Sequence, residues 1–179
     1  MRFSRTAIIA VALAAFAGGA HAADLMTVPL SSDKAIPVAG GTFDWNGFYA
    51  GVYGVTQSSA LGGVQYGLGL NVGADAKFQM VLAGGEIDFQ GLTGSAGDTA
   101  SIQAMGKAGV AVTSDLVLYA LAGAGADMGA APATNALLGG GVQLAVTDAV
   151  SVDARYLHGF ALSGANPKDQ VTLGAKFHF

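Results

Sequence analysis

Apolar and polar residues alternate along the last stretch of the chain, residues 168–179. Successive side chains of a β-strand point to opposite faces, so a period of two predicts a strand here. One face is wholly apolar and the other carries amide, hydroxyl and charged groups. This division is typical of a transmembrane β-barrel, whose strands alternate apolar-out and polar-in. The apolar face carries Val171, Leu173, Ala175, Phe177 and Phe179, and the polar face carries Gln170, Thr172, Lys176 and His178.

The same pattern, followed along the chain, predicts eight strands, each close to the roughly 9–11 residues that a tilted strand needs to cross a bilayer. The first and fifth are ambiguous in parity, because apolar residues occupy both of their faces. The predicted strands are 47–57, 64–72, 77–90, 100–112, 116–126, 135–146, 150–162 and 169–179.

The predicted connections differ in character between the two ends. Residues 73–76, 113–115 and 147–149 form tight turns, whereas 58–63, 91–99, 127–134 and 163–168 form longer loops rich in Gly, Ser, Pro and Asn. Outer-membrane barrels have short periplasmic turns and longer outer loops. The sequence therefore predicts an all-β fold, an eight-stranded antiparallel up-and-down transmembrane β-barrel with both barrel termini periplasmic.

Composition narrows the class of protein further. The 179 residues suit one domain, with 11% charged residues, 28 glycines and a mean hydropathy of +0.50. A water-soluble globular protein normally has more charged residues than this on its surface. The absence of cysteine excludes a disulfide scaffold and thiol catalysis. A dispersed net charge of −4 without a basic run gives no indication of nucleic-acid binding.

The N-terminus has the pattern of a secretory signal peptide. Arg2 and Arg5 precede an apolar run from Ala7 to about Phe16, and Ala20-His21-Ala22 ends the segment. A membrane anchor is the alternative, but the run is shorter than the ~20 residues of a spanning helix. We therefore predict a signal peptide at 1–22, an extended periplasmic lead-in at 23–44 and an outer-membrane β-barrel at 45–179.

Three segments carry a more specific resemblance: FDWNGFYAGV at 43–52, GEIDF at 85–89, and the closing RYLHGFALSGANPKDQVTLGAKFHF at 155–179. They are similar to the porin-family small outer-membrane β-barrels of Gram-negative bacteria, relatives of the eight-stranded OmpA and OmpX type. The terminal aromatic, Phe179, resembles the C-terminal signature of bacterial outer-membrane barrels. The resemblance implies outer-membrane lipids, including lipopolysaccharide, and the barrel-assembly machinery as partners. Members of the family are described as envelope-stability proteins and surface antigens, and some as weak pores or haem binders.

Charged residues on inward parities predict a network in the barrel lumen. Unpaired charge in an enclosed space costs several kcal/mol, and opposite charges offset much of that cost. Glu86 and Asp88 are assigned inward because lipid does not accept them, and Lys107 with Glu86 reads as a structural pair. Inward glycines at 67, 69, 139 and 141 leave room for longer neighbours, so an eight-stranded lumen is plugged by its own side chains. The predicted structural network is Glu86, Asp88, Lys107, Asp153, Arg155 and Lys176, with His178 near its end.

Aromatic residues collect near strand ends, as in the girdles that anchor a barrel at both membrane interfaces. Plain β-propensity is the alternative explanation. The predicted lower girdle is Trp45, Phe48, Phe78, Tyr119, Phe177 and Phe179, and the upper one is Tyr66, Phe89 and Phe160.

No motif for catalysis, a cofactor or a metal emerges; HExxH, GxSxG and phosphate-loop patterns are all missing from the sequence. The sharpest enzymatic hypothesis pairs His158 with Ser163 near the outer rim, as in a lipid-modifying barrel. Such a pair needs an acid to orient the histidine, and parity places Asp153 inward, away from it. A structural interfacial histidine is the favoured interpretation, so we predict that the chain is not an enzyme and needs no cofactor.

The favoured function is that of a structural outer-membrane barrel that contributes to envelope integrity. A narrow passive diffusion pore and a surface ligand-binding barrel are the alternatives, although short loops with few aromatics argue against a large recognition surface. A soluble lipocalin-like barrel would have the opposite arrangement, with its apolar residues inside. The sequence indicates no oligomeric state.

Overall fold

The computed structural model describes residues 43–59, 63–95, 97–128, 132–163 and 167–179. The predicted signal peptide, and the lead-in apart from Phe43 and Asp44, lie outside these ranges. Within them, no helix is long and apolar enough to cross a membrane.

Eight antiparallel strands close into one barrel in chain order, with β1 paired to β8. The predicted fold class is confirmed. The strands are β1 (Gly47–Ser59), β2 (Gly63–Phe78), β3 (Val81–Gly94), β4 (Thr99–Ala111), β5 (Leu116–Met128), β6 (Ala133–Ala145), β7 (Val150–Ser163) and β8 (Lys168–His178).

The two faces of the sheet follow the alternation in the sequence. On β8, Val171, Leu173 and Phe177 are exposed on the barrel exterior, while Gln170 and Lys176 are buried inside. The sheet thus presents an apolar exterior and a polar interior, as a barrel in a bilayer does. Closure of the sheet also gives every strand two hydrogen-bonded neighbours, which a strand in lipid needs because no water is there to bind its backbone groups.

The structure resolves the two ambiguous strands. On β1 the inward residues include Tyr49 and Tyr53, and on β5 they include Tyr119 and Leu121; all four are buried. Large side chains from these two strands therefore fill the lumen. Because tyrosine rings and leucine count as apolar, the inward face of each strand has the apolar pattern expected of an outward face.

One predicted turn is wrong. Residues 73–76 continue β2, and the chain reverses at Gln79 and Met80 instead. Gln79 has φ of 56°, the positive value that a two-residue hairpin turn needs. Glycine or asparagine normally marks such a position, so the Gly73-Ala-Asp-Ala sequence gave a stronger turn signal than the true turn.

The loops at the other end are shorter than predicted, because the strands extend into them. The strand bounds leave only 60–62, 95–98, 129–132 and 164–167 between strands, against 79–80, 112–115 and 146–149 at the end that carries the barrel termini. We call these the loop end and the terminal end. The predicted difference in loop length is therefore wrong.

The opening motif forms a small hydrogen-bonded turn at the terminal end. Asp44 Oδ1 accepts from the Asn46 backbone N–H at 2.9 Å and from its side-chain amide at 2.8 Å, and these bonds lower the pKa of Asp44. Asn46 Oδ1 in turn accepts from the backbone N–H of Lys77 at 2.7 Å. Gly47 follows with φ of 116°, which favours glycine. The turn fixes the chain's entry into β1 against the β2–β3 hairpin.

Candidate functional site in the barrel lumen

Seven charged side chains meet in the middle of the lumen, and each is at most 2% exposed. We call them the charge layer. They comprise all six residues that the sequence predicts for the network, Glu86, Asp88, Lys107, Asp153, Arg155 and Lys176, together with Asp75.

Arg155 on β7 reaches across the barrel to two carboxylates of β3. Its Nη1 donates to Glu86 Oε1, and its Nη2 donates to Asp88 Oδ2 at 2.6 Å. Its Nε donates to Thr172 Oγ1 at 2.8 Å, and the guanidinium lies 5.0 Å from the centre of the Tyr53 ring. One planar cation thereby joins opposite walls of the barrel. A guanidinium suits this role better than an ammonium would, because its fixed fork of N–H donors can bind two carboxylates at once.

Lys176 on β8 forms the second cross-link. Its Nζ lies 2.7 Å from Glu86 Oε2 and 3.7 Å from Asp153 Oδ2. Two tyrosine hydroxyls also donate hydrogen bonds to these carboxylates: Tyr49 donates to Glu86 Oε2 at 2.8 Å, and Tyr119 donates to Asp153 Oδ2 at 2.5 Å. The inward tyrosines of β1 and β5, the two strands of ambiguous parity, thus donate hydrogen bonds within the charge layer.

Lys107 forms a different pair from the one expected. It donates to Asp75 Oδ2 at 2.5 Å and to the Tyr49 hydroxyl at 3.3 Å, and not to Glu86. Asp75 was missed because it falls inside the wrongly predicted turn. On β2 it shares the inward parity of Gln65 and Asn71, and that parity is the sequence signal that could have identified it.

A chain of side-chain amides lies on the loop side of the charge layer. Gln103 donates to Gln170 at 3.0 Å, Gln170 to Gln57 at 2.9 Å, and Gln57 to Gln65 at 3.1 Å. Gln65 then donates to the backbone oxygen of Gly97 at 2.9 Å. The four buried glutamines fill the lumen with neutral groups, and each of their amides donates a hydrogen bond along the chain.

Aromatic side chains fill the terminal end of the lumen. The rings of Phe43 and Trp45 lie 4.5 Å apart, and the His178 ring meets Phe43 edge-on at 4.9 Å. The indole N–H of Trp45 donates to the Ser114 backbone oxygen at 2.9 Å. We call Phe43, Trp45 and His178 the aromatic plug. Phe43, predicted to lie in the lead-in, packs in the barrel interior.

The girdle prediction therefore needs two corrections. Trp45 and Tyr119 are buried in the lumen, where their polar groups find hydrogen-bond partners. The other predicted girdle residues are exposed on the exterior: Phe48, Phe78, Phe177 and Phe179 towards the terminal end, and Tyr66, Phe89 and Phe160 towards the loop end.

His158 on the exterior has an acid that the sequence pattern did not assign to it. Its Nδ1 lies 2.8 Å from Asp169 Oδ1, which also accepts from the Tyr156 hydroxyl at 2.5 Å. Ser163 lies five residues further along β7, about 16 Å at the rise of an extended strand. The structure therefore separates the hypothetical His158–Ser163 pair, and the ring of Phe160 packs against His158 instead.

Among the residues that the structure describes, no three or more His, Asp or Glu side chains are grouped to hold a metal ion. The chemistry that the charge layer does support is mutual neutralisation of buried charge. It ties β2, β3, β4, β7 and β8 together from the inside.

Comparison with known proteins supports the fold. No protein-family model matches the chain, and no curated protein does. Among solved structures, Neisserial surface protein A matches with a TM-score of 0.54 and 18% identity, over 74% of this chain and 97% of that one. Ail of Yersinia pestis matches with a TM-score of 0.55 and 15% identity, over 74% and 96%. Its complex with the heparin analogue sucrose octasulfate gives a TM-score of 0.52 and 17% identity, over 74% and 96%.

Identities this low show the fold alone. These structural matches, together with the closed sheet and its apolar exterior, show that this chain has the fold of the small eight-stranded outer-membrane β-barrels of the OmpA and OmpX type.

Proposed function

We propose that the protein is a structural barrel of the bacterial outer membrane that contributes to envelope integrity and passes no solute. One observation carries the proposal: Arg155 and Lys176 cross the lumen to Glu86 and Asp88 of β3, with all four side chains at most 1% exposed. An open water path would wet these groups.

The layers on either side of the cross-links support a closed lumen. The amide chain lies towards the loop end, and the aromatic plug lies towards the terminal end. Gln103 and Gln170 are buried, as is Trp45. A solute would therefore have to displace three different sets of packed side chains in turn. This argues against the narrow passive pore, the main alternative function.

The localisation and the partners belong to the same proposal. The apolar exterior and the exposed aromatic residues suit a lipid bilayer. We place the terminal end in the periplasm, with lipopolysaccharide and other outer-membrane lipids against the exterior. Phe179, exposed at the end of β8, is the group that the barrel-assembly machinery would engage during insertion.

Planar-bilayer recording of the purified full chain tests the closed lumen. We expect no discrete conductance steps from wild-type protein under conditions in which it is folded and inserted. Reproducible ion-selective steps from wild-type protein would establish the pore instead.

A deletion strain tests the role in the envelope. Loss of the protein should raise sensitivity to detergents and to antibiotics too large for general porins, and expression of the wild-type chain should reverse the change. Unchanged sensitivity after deletion would contradict a structural role even if the lumen proves closed.

A further inference from the structure

The charge layer contains one more acid than base among the described residues. Its carboxylates are Asp75, Glu86, Asp88 and Asp153, and its cations are Lys107, Arg155 and Lys176. An isolated ionised carboxylate buried away from water is strongly disfavoured, and such a group neutralises instead. The surplus therefore has to be balanced within the lumen.

The geometry shows which carboxylates have cations. Lys107 contacts Asp75, and Lys176 contacts Glu86 with Asp153 further away. Glu86 in addition accepts from Arg155 and Tyr49, and Asp153 from the Tyr119 hydroxyl. These three acids are held by donors suited to their ionised forms.

Asp88 differs from them in combining two features. Its one cation, Arg155, is shared with Glu86, as Lys176 is shared between Glu86 and Asp153, and its Oδ1 also has no hydrogen-bond partner among the described residues. The side chain is 0% exposed. The Oδ1 of Asp75 is also without a partner there, but Asp75 has a cation of its own at 2.5 Å.

His178 does not supply the missing positive charge. Its Nε2 lies 2.9 Å from Ser151 Oγ and 3.3 Å from the amide nitrogen of Gln143, and its ring packs on Phe43 and Trp45. No carboxylate contacts it in the described part of the chain. Its surroundings suit a neutral imidazole whose Nε2 accepts a hydrogen bond from the Gln143 amide N–H.

A second buried oxygen indicates where a proton sits. Gln103 lies directly opposite Asp88 in the register of β3 and β4, a spacing of roughly 4.5–5.5 Å between Cα atoms. Its Oε1, like Asp88 Oδ1, lacks a donor among the described residues. None of the neighbouring amides or hydroxyls donates to Asp88 Oδ1: the Asn71 amide donates to Glu86, the Tyr53 hydroxyl donates to Gln90, and the Gln90 amide nitrogen has no partner among the described residues. One proton on Asp88 would serve both oxygens.

We propose that Asp88 is a proton-binding site, a neutral carboxylic acid whose Oδ1–H donates to Gln103 Oε1 while its Oδ2 accepts from Arg155. The charge layer then holds three ionised carboxylates and three cations, and the separate ion pair of Lys168 with Asp127 is balanced by itself. The site goes beyond the structural role proposed above, because it assigns a bound ligand, one proton, to the sealed interior. It does not depend on that role, because it needs only the folded barrel.

Infrared spectroscopy of the folded full chain in lipid vesicles tests the proposal directly. The carbonyl stretch of a protonated carboxylic acid should appear for wild-type protein and shift when aspartate is labelled with ¹³C at the side-chain carboxyl. Glu86 is the sole glutamate in the sequence, so it is the one acidic side chain of the protein whose band would ignore this label, and the shift of the labelled band separates Asp88 from the lipid ester carbonyls. Asp88→Asn should remove the band, whereas Asp148→Asn, a change at an exposed turn, should keep it.

Urea unfolding of isosteric variants gives an independent readout. Asp88→Asn supplies an amide N–H to Gln103 and an oxygen to Arg155, so its unfolding midpoint should equal that of wild type. Glu86→Gln removes an ionised group with several charged donors, and its midpoint should fall. The proposal is overturned by a wild-type barrel without the band, by a band that survives Asp88→Asn, or by an Asp88→Asn protein that fails to fold or unfolds as early as Glu86→Gln.

Discussion

Lys107 on β4 and Asp75 on β2 form an ion pair of 2.5 Å that spans the inner face of β3. The register places Gly84 of β3 directly between them, opposite Asp75 on one side and Lys107 on the other. Because glycine has no side chain, Asp75 Oδ1 packs against its backbone, and an added Cβ would overlap that oxygen. The pair exists because its three strands are aligned at this one position.

Breaking the pair should be costly, and removing both partners should cost less. Lys107→Met leaves Asp75 as an uncompensated buried carboxylate, and we expect the free energy of unfolding to fall by about 3–5 kcal/mol. The double variant Lys107→Met with Asp75→Asn has no buried charge left unpaired at this point. It should recover part of the loss when unfolding by urea is measured in vesicles. A double variant less stable than either single one would contradict the pairing.

Gly84→Ala tests the bridge geometry without a change of charge. The added methyl group would overlap Asp75 Oδ1 and would lie 2.5 Å from the Ala74 backbone oxygen. We expect a loss of about 1–3 kcal/mol, the usual cost of overpacking. Gly91→Ala on the same strand is the matched control, because nothing lies within 4 Å of its added carbon. Equal unfolding midpoints for the two variants would count against the bridge.

The sequence predicts the faces of the sheet wherever inward residues are visibly polar. Strands β2 and β8 alternate cleanly, so the pattern alone assigns Asn71 and Lys176 inward. It does not assign the faces of β1 and β5, because Tyr49, Tyr53 and Tyr119 are counted as apolar residues by the pattern. Their hydroxyls nevertheless donate hydrogen bonds to polar groups inside the lumen. Their function depends on partners from distant strands, which a local pattern does not contain.

The site was predictable to a similar extent. Parity and the intolerance of lipid for charge identify six members of the charge layer. Asp75 falls inside the tight turn predicted at residues 73–76, so the predicted network has three acids and three bases and lacks the surplus acid. The contacts themselves depend on which strands face each other across the closed barrel. Arg155 and Glu86, 69 residues apart, meet only because of that closure.

Trp45 should behave as a buried lumen residue, contrary to its predicted place in the girdle. Trp45→Ala removes a fully buried ring and its hydrogen bond to Ser114, and we expect the free energy of unfolding to fall by about 3–5 kcal/mol. Phe48→Ala, three residues away on the exterior, should cost less. Urea unfolding of both variants decides the assignment, and a greater loss for Phe48→Ala would return Trp45 to the girdle.

Removal of His158 should leave lipid A chemically unchanged. The histidine has an orienting acid in Asp169, yet Ser163 is out of reach and Phe160 packs on the ring. Mass spectrometry of lipid A from cells expressing wild-type, His158→Ala or Asp169→Asn protein should give the same species. A species that depends on both residues would show that this exterior pair is catalytic.

The division between an oily exterior and a sealed polar interior can be measured at two adjacent positions of β8. Leu173 is 69% exposed on the outside and Thr172 is 2% exposed within. The chain contains no cysteine, so Leu173→Cys and Thr172→Cys each introduce one labelling site. In vesicles, a fluorophore on the Leu173→Cys protein should be quenched by spin-labelled lipid tails, and the Thr172→Cys protein should resist a water-soluble maleimide until unfolded. Quenching by lipid at position 172 with none at 173, or rapid maleimide labelling of the folded barrel at 172, would contradict the account.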